Sequence, residues 1–289
     1  MQDMNPRWPA SLALRYTRPL ERTIVAQRHA GPLRVQKALY PEGDAVCHAI
    51  NVHPPGGIAA GDDLAIDVRA AAGAHALITT PGATRWYKAS GQGATQRVTL
   101  AVDAGAALEW LPQETLVFDH ARVDARIDIA VAGSAATLGW DLVALGRKAA
   151  GESFTDGILA QTIALHADGE LLWLERTRLA GGDGLLQSPV GLGGRSVFGC
   201  LWAYGPRWAG PQVDATVEAA VEAVRVELER APPARVRAAA TCVAPRLLLV
   251  RVSATGTEVA AALLRRAWHL LRPLAFGGRA AQALRIWAT

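Results

Sequence analysis

Three stretches in the middle of the chain decide how the fold is read: Leu64-Ala65-Ile66-Asp67-Val68, Val98-Thr99-Leu100-Ala101-Val102 and Ile127-Asp128-Ile129-Ala130-Val131. In each, apolar residues alternate with small or polar ones, which is the period of a strand with one buried face. They begin 34 and 29 residues apart, and each is followed by a glycine turn, at Gly73-Ala74, Gly105-Ala106 and Gly133-Ser134. A second alternating stretch follows each turn, marked by Leu77 and Thr79, by Leu108 and Trp110, and by Leu138 and Trp140. A fourth, degenerate copy runs Ile163-Leu165, Asp168-Gly169, then Leu171 and Trp173. Asp-Gly between alternating stretches marks a hairpin, because a type I′ turn needs positive φ at both central residues. A unit of strand, turn and strand recurring about every 30 residues points to stacked β layers, since one layer cannot bury its apolar face alone. A sandwich of successive hairpins fits the same spacing.

Two helices follow. Val213, Val217, Val221, Val224 and Leu228 mark one face of a helix over 214–230, which Pro232-Pro233 stops. A second helix over 256–272 opens on a Thr255–Glu258 capping box and carries Val259, Leu263, Leu264, Trp268 and Leu271 on one face. Pro273 and Gly277 are expected to follow its end. Between the helices, Leu247-Leu248-Leu249-Val250-Arg251-Val252 reads as a buried strand. The expected fold class is mainly β: a layered, solenoid-like β-roll with two C-terminal α-helices. No linker divides the chain, so a single domain is expected over 1–289, its β core at about 20–205.

The 289 residues are 51% hydrophobic and 19% charged, with a mean hydropathy of +0.14. So much apolar surface with so little charge excludes intrinsic disorder. Every apolar run is broken well short of the ~20 residues that span a membrane. The opening MQDMNPRWPASLALRYT lacks the order of basic, apolar and small regions of a signal peptide, so a cytoplasmic globular protein is expected. A net charge of +4 invites a nucleic-acid reading, but the 30 basic residues are scattered among acids and only three are Lys. No basic stripe results, and no nucleic-acid partner is expected. Sparse charge on an apolar chain suggests a surface hidden against a partner protein.

The motifs carry little catalytic chemistry. Pro54-Pro55-Gly56-Gly57-Ile58-Ala59-Ala60-Gly61-Asp62-Asp63 lacks the Lys and Ser or Thr of a phosphate loop and leads into a strand. It reads either as a solvated turn whose Asp serves local backbone hydrogen bonds or as a presented carboxylate. Cys47, His48 and His53 suggest a metal, yet on a strand His48 and His53 face opposite ways, and Cys47 and His53 lie ~20 Å apart. The cysteines (Cys47, Cys200 and Cys242) are odd in number and dispersed, which excludes a disulfide framework. Asp141, between Trp140 and Leu142, and Glu175, after Leu171-Leu172-Trp173-Leu174, are carboxylates within apolar strands. Each needs a partner there: an Arg such as Arg147 or Arg176, or a passing cation. Gly146-Arg147-Lys148-Ala149-Ala150-Gly151-Glu152-Ser153-Phe154 reads alone as a loop with a salt bridge.

Taken together, the motifs resemble the urease accessory protein UreD family, called UreH in some bacteria. The matching stretches are Gly31-Pro32-Leu33 with Val35-Gln36, Tyr40-Pro41-Glu42, Cys47-His48, and His53 to Asp62. They continue with Thr79-Thr80-Pro81-Gly82-Ala83-Thr84 plus Tyr87, Glu109-Trp110-Leu111-Pro112-Gln113-Glu114, and Trp140-Asp141. Gly146-Arg147, Gly151-Glu152-Ser153-Phe154 and Leu284-Arg285-Ile286-Trp287 complete them, while residues 1–10 and about 180–212 match little.

The resemblance implies a non-enzymatic scaffold in the maturation of the nickel enzyme urease. It implies binding to UreF, through UreF to the GTPase UreG, and to the urease apoprotein. It also implies delivery of nickel(II) with no permanently bound cofactor. Few cysteines, unclustered histidines and carboxylates within apolar strands suit a conduit of weak, transient oxygen ligands better than a store. The candidates for that path are Asp62, Asp141 and Glu175, with Thr84 and Glu152 in second rank. Two other classes are a carbohydrate-active enzyme using Asp62 and Glu114 as acid and base, and an interaction scaffold with no metal path. Trp110, Trp140 and Trp173, at equivalent repeat positions, read as core and not as a sugar-binding groove.

Overall fold

The computed structural model describes residues 7–205, 213–230 and 232–288, without the side chains of 213–217. Two sheets face each other, and two helices cover the far side of one of them. The outer sheet has seven strands. Four run parallel: β5 (Asp62–Ala70), β8 (Ala94–Val102), β11 (Arg122–Val131) and β13 (Ile158–Ala167). On one flank β1 (Trp8–Thr17) adds in parallel to β5, and β2 (Ile24–Ala30) pairs antiparallel with β1. On the other flank β14 (Glu170–Ala180) returns antiparallel to β13. The central sheet stacks β4 (Val46–Val52), β6 (His75–Thr79), β9 (Ala107–Leu111) and β12 (Ala136–Leu145) in parallel. It is extended by β3 (Arg34–Leu39) on one side, and on the other by β15 (Val197–Tyr204), β17 (Leu247–Ala254) and β16 (Val236–Ala244), all antiparallel. Short β7 (Thr84–Trp86) and β10 (Thr115–Val117) pair with each other and, through β10, with β12.

The stacked β layers expected from the repeat are therefore present. The chain climbs from β5 to β6, β8 to β9 and β11 to β12, alternating between sheets at the glycine turns. These turns also stack, Gly73 N–H donating to Gly105 O at 3.2 Å. The register differs from the expected step in two places. Ile66 pairs with Val98, a step of 32 residues and not 34. Trp110 pairs with Gly139, so Trp140 lies one residue out of phase and points to the opposite face. A slip of one residue exchanges faces along the whole strand. Gly139 accepts this because Trp202 fills the space where its side chain would stand. Trp110, Trp140 and Trp173 are all buried, as expected of core residues, but at non-equivalent places.

The fourth copy departs more. Asp168 and Gly169 both have positive φ, at 50° and 89°, as a type I′ turn requires. They fold β14 back beside β13 in the outer sheet, so Leu171 and Trp173 never cross to the central sheet. The layers also begin before residue 20, because Ala10, Leu12, Leu14 and Tyr16 alternate inward on β1.

Leu12, Ile66, Val98, Ile127 and Ile163 from the outer sheet meet Ala49, Ile78, Trp110 and Trp202 from the central one. The opposite face of the central sheet, with Leu77, Leu138, Leu201 and Leu248, packs under α1 (Val213–Glu229) and α2 (Thr257–Ala275). Val221, Val224 and Leu228 of α1 are buried as their spacing indicated, while the side chains of Val213 and Val217 lie outside the described residues.

Helix α2 corrects two expectations. The capping box does not form: Gly256 holds the cap position, and Thr255 Oγ1 donates instead to Arg235 O at 3.4 Å. The helix also runs through Pro273 to Ala275. A proline there removes one N–H from the last turn. Arg272, just before it, is anchored by two buried carboxylates. Its Nη1 and Nη2 bind Glu42 at 2.8 and 2.9 Å, and its Nε lies 3.0 Å from both oxygens of Glu109. His48 joins Glu42, and His75 joins Glu109, each at 2.8 Å, and Trp268 Nε1 donates to Glu109 at 2.7 Å.

Candidate functional site

Strand parity sorts the polar residues of the roll. On β13, Leu159, Ile163 and Leu165 point between the sheets, so Gln161 does too. Register places Leu64, Gln96, Ala125, Gln161 and Thr177 in one row across the outer sheet. In the central sheet Val143 and Leu145 face inward, and Asp141 shares their parity. Asp141 pairs with Cys200, and Cys200 with Arg251, so these three form a row facing the first. Glu175 faces inward from β14, opposite Ile163. A polar layer thus lies within an otherwise apolar interior.

Its best-defined part is a four-residue bridge between the sheets. Gln161 Nε2 donates to Asp141 Oδ2 at 2.8 Å. Arg251 Nε and Nη2 both donate to Glu175 Oε2, at 3.1 and 2.6 Å. Burial raises the Asp141 carboxyl to about 6, the Gln161 hydrogen bond only partly opposing it and the charge of Glu175 adding to it. Burial likewise pushes the Cys200 thiol up, which keeps it a neutral thiol.

Farther along the same interior, Asn51, His53, Thr80, Thr84 and Gln96 line a cavity of about 170 Å³. Asn51 is buried, and among the described residues its Oδ1 has no hydrogen-bond partner. The cavity opens beside the Gly56-Gly57 turn, where the Tyr87 ring fills the space a side chain at Gly57 would need. Burial lowers the His53 pKa, and the charge of Asp62 opposes that shift.

The structure brings together only Asp141 and Glu175 of the expected carboxylates. Their partners are Gln161 and Arg251, not Arg147 or Arg176. Asp62 stands at the start of β5, two residues before Leu64 of the inner row, and its Oδ2 accepts from Ala59 N–H at 2.8 Å. That is the local backbone bond expected of a turn Asp. Thr84 lines the cavity. Glu152 lies outside the layer: it pairs with Arg147 at 2.6 Å and accepts from the backbone N–H of Asp119 at 3.1 Å. This is the loop salt bridge that its stretch indicated. Among the described residues no three His, Cys, Asp or Glu side chains cluster to hold a metal. His48 and His75 serve the buried ion network under α2, with Glu42 and Glu109.

Sequence reasoning missed Gln161, Gln96 and Arg251. The signal was available for the first two, which break the apolar phase of Leu159, Ile163 and Leu165 and of Val98, Leu100 and Val102. No local signal exists for the Arg251–Glu175 pair, whose members are 76 positions apart. Of the pair offered as acid and base, Asp62 is held by its own turn, and the backbone O of Glu114, just before β10, accepts from Thr84 N–H at 2.9 Å.

No helix among the described residues is long and apolar enough to cross a membrane. The model of the family "UreD urease accessory protein" matches residues 9–288. A urease accessory protein UreD of Ralstonia nicotianae is 45% identical over 291 residues, covering 98% of this chain and 94% of that one. Proteins of the same name from Cupriavidus pinatubonensis and Pseudomonas fluorescens are each 45% identical over 289 residues, covering 98% of this chain and 96% of theirs.

Proposed function

This chain belongs to the urease accessory protein UreD family, and from that premise we propose that it is a non-catalytic scaffold guiding nickel(II) to the urease apoprotein. Its partners in this reading are the apoprotein, UreF and, through UreF, the GTPase UreG. The family assigns a role in urease maturation, and the passage of nickel through this chain is the finer step.

The observation that carries the finer step is the inward-facing pair Asp141 and Glu175, joined across the sheets to Gln161 and Arg251. An ion in transit needs oxygen ligands to replace its water, offered a few at a time. Thiolates or a cluster of imidazoles would hold nickel too firmly to release it. The layer supplies amide, hydroxyl and carboxylate oxygens, and its nearest thiol is kept protonated by burial. Asp62 stands near the cavity end, where its charge reaches His53. Asp141 and Glu175 form the second station. Glu152, which holds its loop through Arg147 and Asp119 N–H, stays in second rank with Thr84.

Asp62→Ala, Asp141→Ala and Glu175→Ala, each co-expressed with a urease operon, test the reading. Urease then carries less nickel although the accessory proteins still co-purify. Full nickel loading in all three variants would leave the chain as an interaction scaffold with no metal path.

A further inference from the structure

Arg251 occupies an unusual place in the polar layer. It lies in register with Cys200 and Asp141 on the central sheet, yet its guanidinium reaches across to the outer sheet and takes one oxygen of Glu175 twice, at 3.1 and 2.6 Å. Half of its side-chain surface is exposed, against 28% for Glu175. The layer therefore meets solvent at a cation, on the flank where β14 ends the outer sheet. A guanidinium has only donors and cannot ligate a metal. It competes with any arriving cation for the same carboxylate lone pairs.

We propose that Arg251 is the release group of the path: it holds Glu175 when no ion is present, swings toward solvent as nickel(II) arrives, and displaces the ion on its return. The inference rests on the conduit reading above and assigns to Arg251 a positioning role that its own chemistry allows. With Arg251 in place, Asp141, Glu175 and Arg251 together carry one net negative charge when both acids are ionised. Without it they carry two, facing each other in a partly buried space where charges are weakly screened. Two unopposed carboxylates make a lasting site for a divalent cation. One carboxylate shared with a guanidinium makes a passing one. The half-exposed stem gives the guanidinium somewhere to go, which a fully buried ion pair such as Arg272 with Glu109 lacks.

Nickel(II) chloride titrated into the full-length chain, followed by calorimetry and equilibrium dialysis, tests the assignment. The native protein, Arg251→Gln, Arg251→Met, Arg251→Lys and the double variant Arg251→Gln/Glu175→Gln are compared, each checked for native circular dichroism. Both neutral variants are expected to bind nickel at least about tenfold more tightly than the native chain. Arg251→Lys, which keeps the charge, is expected to stay within about threefold of native. The double variant is expected to lose the gain. Equal affinity in the native chain and the folded neutral variants overturns the proposal, and so does a gain that survives Glu175→Gln. Because this readout needs no urease, it fails or succeeds separately from the loading experiment that tests the conduit.

Discussion

Arg272 and Glu109 lie 163 positions apart in the chain and meet in the interior, the guanidinium Nε 3.0 Å from each carboxylate oxygen and both residues fully buried. The contact joins the last long helix to the middle of the central sheet. Glu42 takes the other edge of the guanidinium and Ala280 O also accepts from it, so one side chain ties α2, β9, the turn before β4 and the C-terminal segment together. Three stretches that carry the family resemblance, at Glu42, His48 and Glu109, converge on this network and not on the polar layer.

Removing the cation leaves two buried carboxylates facing each other. Breaking a buried pair by deleting one partner costs about 3–5 kcal/mol. Arg272→Met is therefore expected to lower the unfolding free energy by about that much in urea titrations. Arg272→Lys, with one donor group in place of a fork, should fall between it and native. A change under about 1 kcal/mol in Arg272→Met would show that the network contributes specificity and not stability.

The same network sets an acid limit. Burial alone would raise the Glu109 carboxyl, but the hydrogen bond from His75 and the charge of Arg272 outweigh it and take it down to about 2 from 4.5. A folded carboxyl that titrates below its unfolded value stabilises the fold wherever the unfolded group is ionised. That contribution, about 3 kcal/mol, is complete above pH 4.5 and is lost as pH falls toward about 2. Thermal melts between pH 6 and 2 should show the midpoint falling most steeply below 4.5. In Glu109→Gln that part of the slope should be missing.

Asp141 has the opposite sign. Burial holds its folded carboxyl at about 6, above the unfolded 3.8, so its ionised form costs about 3 kcal/mol at neutral pH and nothing below 3.8. Asp141→Asn keeps an acceptor for Gln161 and removes the charge. It is expected to raise the melting temperature at pH 7 and to leave it unchanged near pH 3.5. Under the conduit reading the same variant loads less nickel into urease, so stability and function move apart. A variant less stable than native at pH 7 would refute the assigned cost.

Gly139 is the steric hinge of the register. A methyl group there would overlap the Trp202 ring and stand 2.7 Å from Trp110 O. Neither neighbour can yield, since both are buried in the main core. Gly139→Ala is expected to cost about 1–3 kcal/mol, read as a lower urea midpoint with an unchanged slope. Trp202→Phe in the same chain should recover part of the loss by opening the space, which a purely backbone effect would not allow.

Local pattern carried much of the architecture. The alternating triads, the Asp168-Gly169 hairpin, the apolar face of α1 and the core of α2 are all short-range features, set by strand and helix periods that the chain states residue by residue. The loop salt bridge of Arg147 with Glu152 and the backbone bond of Asp62 were legible for the same reason, each spanning five residues or fewer. Where two local signals competed, pattern misled. The stretch Leu138-Gly139-Trp140-Asp141 offers its large residues in one phase, yet packing against Trp202 selects Gly139 as the inward residue beside Trp110. Pro273 signals a helix end, and the buried anchoring of Arg272 overrides it.

What the amino-acid order determined by itself is the class of the molecule: a stacked β-roll with two late helices, its interior apolar but for a few inward carboxylates. What only the tertiary structure decided is who answers those carboxylates. Asp141 meets Gln161 from the opposite sheet, and Glu175 meets Arg251 from a strand 76 positions away. The reason is physical. Periodicity dictates which face a side chain takes, but a charge buried on that face is satisfied by whatever the stacking of distant strands brings within about 3 Å, and that distance is written in no local stretch of the chain.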